Sequence, residues 1–267
     1  MSKLTDAFKV YGVSAEALDT KGSVIFIGTL PLKDNEKLIK NLCENAKNFI
    51  YFSPIEDAFL SNRAQKYIKY EAGSEAGVLA LIAKSVLQDS EVSGDVREYL
   101  DALDEGYLSA ESNVGEEEIE EALSLFEGER LTLLLGEDIQ EHPDSDAVAG
   151  LIALICRFKP LGVSLPSGKE LSVDKADILP PHIDELRSFD GTAVYFYPSN
   201  DERFYASAQF ALAAKIKDKD EVIITVKSGE YKRVFEVSSE LKGTIAILGV
   251  NEHKGFRYEV AKITKGR

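Results

Sequence analysis

Ser23-Val24-Ile25-Phe26-Ile27-Gly28 is an unbroken apolar run closed by glycine, and Asn48-Phe49-Ile50-Tyr51-Phe52-Ser53-Pro54 is a second, stopped by proline. Apolar runs without polar alternation are what strands buried on both faces require. Between the two, Leu38, Ile39, Leu42, Cys43 and Ala46 form one apolar stripe, predicting a helix with its N-cap at Asp34. Strand, helix and strand in about 30 residues make a βαβ unit, whose crossover is expected to be right-handed.

The same plan recurs downstream. Lys66 to Glu71 reads as a short strand, and Ser74 to Leu87, with Val78, Leu79, Leu81, Ile82, Val86 and Leu87, as a well buried helix. Leu131-Thr132-Leu133-Leu134-Leu135-Gly136 is another apolar strand ending in glycine. It leads to a helix capped at Asp146, bearing Val148, Leu151, Ile152, Leu154 and Ile155, and then to a strand over 161–165. The fold class expected is α/β, a doubly wound and mostly parallel sheet of two Rossmann-like halves over residues 1–178.

Between the halves, residues 89–129 hold fifteen acidic side chains and a single basic one, Arg97, so almost all of the chain's formal charge of -15 lies there. Val96, Tyr99, Leu100 and Leu103, then Ile119, Ala122, Leu123 and Phe126, keep helical spacing, which predicts two amphipathic helices with acidic outer faces. Such a face is either simply solvated or a docking surface for a basic protein.

After Pro180-Pro181 short strand-like runs follow at 192–197, 221–226, 233–237, 244–248 and 256–260, a small β-barrel-like module over 185–267. Residues 215–267 carry twelve basic and eight acidic side chains, so the two ends of the molecule differ in sign. The acidic total argues against a nucleic acid partner, and no apolar run approaches the ~20 residues of a membrane helix. Met1 to Lys9 lack a signal peptide's apolar core, so a cytoplasmic location is expected, with no direct membrane insertion.

Little in the residues points to catalysis. Cys43 and Cys156 sit in helical patterns as small hydrophobes, and His142, His182 and His253 are scattered, so neither an Fe–S cluster nor a zinc site is expected. Gly28-Thr29-Leu30-Pro31 lacks the further glycines of a dinucleotide fingerprint, and Gly136-Glu137-Asp138 puts two carboxylates where a pyrophosphate would sit. His142-Pro143-Asp144-Ser145-Asp146 offers oxygens and a nitrogen to a metal, but a helix-capping loop explains it as well. Tyr195, Tyr197, Phe204, Tyr205 and Phe210 either line a pocket or fill a β core, and strand-rich cores use such residues routinely.

What carries further is resemblance. Ile25-Phe26-Ile27-Gly28-Thr29-Leu30-Pro31 resembles the strand and Gly-Thr-x-Pro loop of molybdopterin oxidoreductases. The stretch Tyr70-Glu71-Ala72-Gly73-Ser74-Glu75-Ala76-Gly77-Val78-Leu79-Ala80-Leu81 is similar to their Pro-Gly-Thr-Asp segment and the Leu/Ala-rich helix after it. Val114 to Gly136 resembles the entry into their second half, and Gly136 to His142 the loop that follows. Ala214 to Val222, Ser228-Gly229 and Leu241-Lys242-Gly243 look like their β-barrel cap, whose pattern is Ile-x-Asp-Gly-Asp-x-Val, with Lys219 here in place of the glycine.

Within that superfamily the chain resembles the large subunit of bacterial NADH-quinone oxidoreductase, respiratory complex I, whose body is molybdopterin oxidoreductase-like, in phrases such as Gly106 to Glu118. That large subunit keeps the body without molybdenum chemistry, and its N-terminal cluster cysteines have no counterpart here. The resemblance implies a shortened, non-catalytic accessory or scaffold subunit of a membrane-associated respiratory complex, free of cofactor. Other protein subunits would be its partners, placing it at the cytoplasmic face of the inner membrane. The alternative it implies is a molybdopterin-guanine-dinucleotide-binding module in which Gly28, Thr29 and Gly136 approach phosphate or pterin. An unrelated small-molecule binder, using the loops at the carboxyl ends of the strands, is a third reading.

Overall fold

A computed structural model of the chain describes residues 2–29, 32–126, 130–187, 189 and 191–266, with the side chains of 32–34 outside the description. Two compact units divide it, one of residues 1–54 and 63–188, the other of residues 55–62 and 189–267. The excursion at 55–62 belongs to the second unit, although the sequence places it in the first domain.

The first unit begins with α1 (Lys3–Tyr11), β1 (Ser23–Ile27), α2 (Leu32–Asn45) and β2 (Asn48–Ser53). After β3 (Glu56–Asp57) and α3 (Ala58–Ser61), which lie in the second unit, it resumes with β4 (Lys66–Lys69) and α4 (Glu75–Leu87). Then come α5 (Gly94–Asp101), α6 (Glu105–Ser112), α7 (Glu116–Ser124), β5 (Leu131–Leu135), α8 (Ser145–Phe158) and β6 (Leu161–Ser164). The five strands pair in the order β4-β2-β1-β5-β6, and every pairing is parallel. This is the α/β architecture that the apolar runs predict.

Burial explains the run composition. All five residues of β1 are buried. Ile25 and Ile27 join Leu133, Leu135, Ile50 and Phe52 in one core with α1, α4 and α8. On the opposite face Phe26 stacks on Tyr51 with ring centroids 5.2 Å apart, and Tyr51 meets Tyr67 at the same separation. A strand that buries both faces has no position left for alternation.

The local expectations need four corrections. The acidic segment holds three helices, not two, because α6 buries only Leu108 and Ser112 and shows little helical periodicity. Helix α8 has Asp144 as its N-cap residue, with Asp146 inside the first turn, where its charge suits the helix dipole. Helix α2 starts before Asp34 and is interrupted at Asn35 (φ -117°), so Asp34 is no cap, and its side chain falls outside the described residues. Cys43 and Cys156 are half-buried thiols rather than fully buried ones.

The second unit contributes β3, α3, β7 (Ala193–Pro198), β8 (Phe204–Ala206), α9 (Ala208–Ala214), β9 (Glu221–Val226) and β10 (Gly229–Val237). It ends with β11 (Leu241–Lys242), β12 (Ile245–Val250), β13 (Tyr258–Val260) and β14 (Lys262–Lys265). Seven strands run in the order β13-β7-β12-β8-β10-β9-β14, with parallel pairs β7–β12 and β8–β10 among antiparallel ones. Only Ala261 separates β13 from β14, yet the two occupy opposite edges, so the sheet curls back toward itself. Phe204, Phe210 and Phe235 fill its core, and Tyr195 and Tyr197 are buried too, so the aromatic cluster is packing. Lys219 has φ 66°, the left-handed backbone that the resembled pattern serves with glycine.

Candidate functional site

The strand order reverses between β1 and β5, and in open parallel sheets the crevice at the carboxyl ends of two such strands is where ligands bind. Gly28, Thr29 and Gly136 all stand there. Gly28 has φ 112°, and a Cβ on it would lie 2.9 Å from the Gly136 Cα. A Cβ on Gly136 would collide with the Thr29 backbone nitrogen. Glycine at both positions therefore lets the two loops touch.

Each of the three backbone donors is already engaged. The Gly28 N–H donates to the Phe52 carbonyl at 3.0 Å, and the Gly136 N–H to the Ile27 carbonyl at 2.7 Å. The Thr29 N–H donates to Oδ1 of Asp138 at 2.8 Å, and the Ile139 N–H reaches the same oxygen at 3.2 Å. Asp138 is wholly buried. One of the two carboxylates read from the sequence thus takes the anion position of the loop, while Glu137 is only half-buried.

α4 carries a second buried carboxylate, which no local pattern in the sequence singles out. Glu75, in the first turn of α4, has no exposed surface. Its Oε2 lies 2.7 Å from His142 Nε2, and its Oε1 accepts from the Tyr70 hydroxyl at 3.2 Å and the Gly73 N–H at 3.4 Å. The Asp144 N–H donates to His142 Nδ1 at 3.0 Å, so the ring carries its proton on Nε2 and gives it to Glu75. His142 is as buried as its partner. The His142 loop is accordingly a structural joint, and its Asp144, at the N-cap position of α8, makes no side-chain cap bond.

The chain after β6 covers this joint. Leu186 packs so closely on α4 that a Cβ on Gly77 would lie 2.6 Å from its Cδ1. The Leu186 N–H donates to the Tyr107 hydroxyl at 2.8 Å, and Arg187 Nε holds Asp144 at 3.1 Å. Carboxylate, imidazole and phenol are the components of a proton relay. Here both ring nitrogens and both Glu75 oxygens bond within the protein, without exposure to a substrate, so the arrangement binds the halves together.

Elsewhere the chemistry is equally quiet. Burial pushes the Cys156 thiol up to about 11, which keeps it protonated and unreactive near neutrality. Among the described residues no group of three or more His, Cys, Asp or Glu side chains is placed to hold a metal ion. In the acidic helices Lys84 pairs with Glu105, which lowers the Glu105 carboxyl, while Glu105 beside Glu116 raises the latter. Among the described residues no helix is long and apolar enough to cross a membrane.

No family model matches the chain, and no curated protein does. Among solved structures, one similar to it is acetylene hydratase from Pelobacter acetylenicus, at 11% identity and a TM-score of 0.47. The likeness covers 57% of this chain and 23% of that one.

Proposed function

We propose that this chain is a non-catalytic accessory or scaffold component of a respiratory NADH-quinone oxidoreductase-type complex, similar to the large subunit with the molybdopterin oxidoreductase-like body, and that it supports electron input to the quinone pool. One observation supports the non-catalytic part. The backbone donors of Gly28, Thr29 and Gly136 are spent on Phe52, Asp138 and Ile27, so none of these three N–H groups is left for a phosphate. The complex I part rests on sequence phrases such as Gly106 to Glu118. The protein is then held at the cytoplasmic face of the inner membrane by its partner subunits, through its acidic helices and its basic β module.

Molybdopterin guanine dinucleotide does not fit these residues. Its phosphates need N–H groups aimed outward, and the buried Asp138 carboxyl already takes those of Thr29 and Ile139. Affinity purification of the tagged chain from its native membranes, followed by mass spectrometry, tests the proposal. Recovery of NADH-oxidising peripheral subunits in stable ratio is the expected result. Recovery of the chain alone overturns the assignment, and molybdenum with pterin in the purified protein would restore the cofactor-binding alternative.

A further inference from the structure

From Ser172 to Arg187 the chain runs without secondary structure over the helices of the first unit, and of this segment only Pro180 and Leu186 are buried. The body beneath holds it by its backbone. Ser14 Oγ accepts from the Val173 N–H at 3.1 Å, and Arg157 of α8 donates to the Ile178 carbonyl at 2.8 Å. The Tyr99 hydroxyl of α5 donates to the Pro181 carbonyl at 3.3 Å, and the Tyr107 hydroxyl of α6 accepts from the Leu186 N–H at 2.8 Å. Among the described residues, Val173 and Leu186 are the only two of the segment whose N–H groups find a partner. Two helices also give up a side chain to admit it. A Cβ on Gly150, inside α8, would stand 2.8 Å from the Pro180 Cα, and Gly77 in α4 leaves the notch that Leu186 fills. Glycine is a poor helix former, so these two positions serve the chain above them rather than their helices. Polar groups on the backbone and a pocket for an occasional side chain are how proteins hold extended peptides.

Charge is where this occupant fits badly. Residues 172–187 carry Asp174, Asp177, Asp184 and Glu185 against Lys175 and Arg187, a net of -2. The stretch 94–112, which forms α5 and α6 and supplies both tyrosines, holds six acidic side chains against Arg97 alone. Arg157 answers Asp177, and Asp144 answers Arg187 at 3.1 Å, but Asp174 and Glu185 have no ion-pair partner among the described residues. An extended segment with the same backbone and basic side chains at the acidic positions suits this track better than its own chain does. A second copy brings the same acidic segment and a further charge of -15, so the matching occupant is a basic stretch of a different protein.

We propose that residues 172–187 are a displaceable ligand held in cis, and that the track beneath them receives an extended, basic segment of a partner protein with proline and leucine at the same spacing. The acidic segment then acts as an autoinhibitory latch, which the partner removes by offering the same backbone contacts with the complementary charge.

Hydrogen exchange on the unmodified full-length protein tests displacement without any variant. The Val173 and Leu186 amides are expected to exchange at least about a hundredfold faster than the interior of α8, and equal protection overturns the latch. Titration with a labelled synthetic peptide of residues 172–187 tests the track. The tethered segment competes at an effective concentration of about millimolar, so the unmodified protein should show no saturation below about 1 mM. Leu186→Ala in the protein empties the notch and should admit the peptide at least about tenfold more tightly. A peptide with Asp174, Asp184 and Glu185 replaced by lysine should bind that variant about tenfold more tightly again at low salt, with the advantage shrinking in about 0.5 M salt. A peptide carrying Leu186→Ala should bind it at least about tenfold more weakly. Absence of saturable binding to the folded Leu186→Ala protein, or indifference to the peptide's own leucine, overturns the track, and tight binding to the unmodified protein overturns occupancy in cis. Equal affinity of the acidic and basic peptides overturns the basic partner, as does a dimeric mass of the unmodified protein by light scattering, which would give the track to a second copy.

Discussion

Replacing Glu75 by leucine strikes the joint between the two halves of the parallel sheet, and its cost follows from what the carboxylate accepts. His142 Nε2–H at 2.7 Å and the Tyr70 hydroxyl at 3.2 Å lose a buried acceptor, and the Gly73 N–H a weaker one. At about 1–3 kcal/mol for each buried donor so deprived, Glu75→Leu should cost about 3–5 kcal/mol. His142→Leu strands the carboxylate instead and should cost a similar amount, about 3–5 kcal/mol. The double variant removes both polar partners and leaves an apolar contact, so it should cost at least about 2 kcal/mol less than the sum of the singles. Urea unfolding followed by far-UV circular dichroism reads this well, because seven of the nine α-helices among the described residues are in the first unit. Single costs below about 1 kcal/mol, or costs that add within about 0.5 kcal/mol, would refute the view that this pair joins the halves.

Gly136→Ala puts a Cβ against the Thr29 nitrogen and 2.8 Å from the Gly28 carbonyl carbon. It should cost about 3 kcal/mol or more. Gly94→Ala, with nothing within 4 Å, should instead stabilise α5 by up to about 1 kcal/mol, and paired thermal melts compare the two. Lys219→Gly relieves a backbone at φ 66° and gives up only an exposed pair with Glu236, so a net gain of up to about 1 kcal/mol is expected from chemical denaturation of the second unit. The same change should raise the Glu236 carboxyl part of the way back toward its ordinary value, since Arg203 first and Lys219 second hold it low; carbon-detected NMR titration would show it. Burial pushes the Tyr99 hydroxyl up to about 12, so the folded state keeps that proton after the unfolded state has lost it. The stability Tyr99 contributes is therefore complete below about pH 10 and lost as pH rises toward about 12. Melting temperature against pH should fall less steeply across that window in Tyr99→Phe, and identical profiles would contradict the assignment.

The strands of the parallel sheet are readable because burial on both faces writes itself as an uninterrupted apolar run. Each of β1, β2 and β5 occupies the run that announces it. What escapes lacks such a signature. Helix α6 buries two side chains of eight and is fixed by its neighbours more than by its own stripe, while β3 and β11 pair over only two residues each. Their existence depends on residues 55–62 joining strands almost two hundred positions later, and no local window contains that information.

The crevice is legible in part for the same reason. Gly136-Glu137-Asp138 is a local phrase, and its excess of carboxylate after a strand-ending glycine already opposes a phosphate. The bond between Glu75 and His142 spans 67 residues, and in sequence Glu75 looks like any first-turn acid that favours a helix dipole. Only the strand order, which sets β5 beside β1 and brings α4 and the loop after β5 to the same end of the sheet, turns that acid inward onto an imidazole.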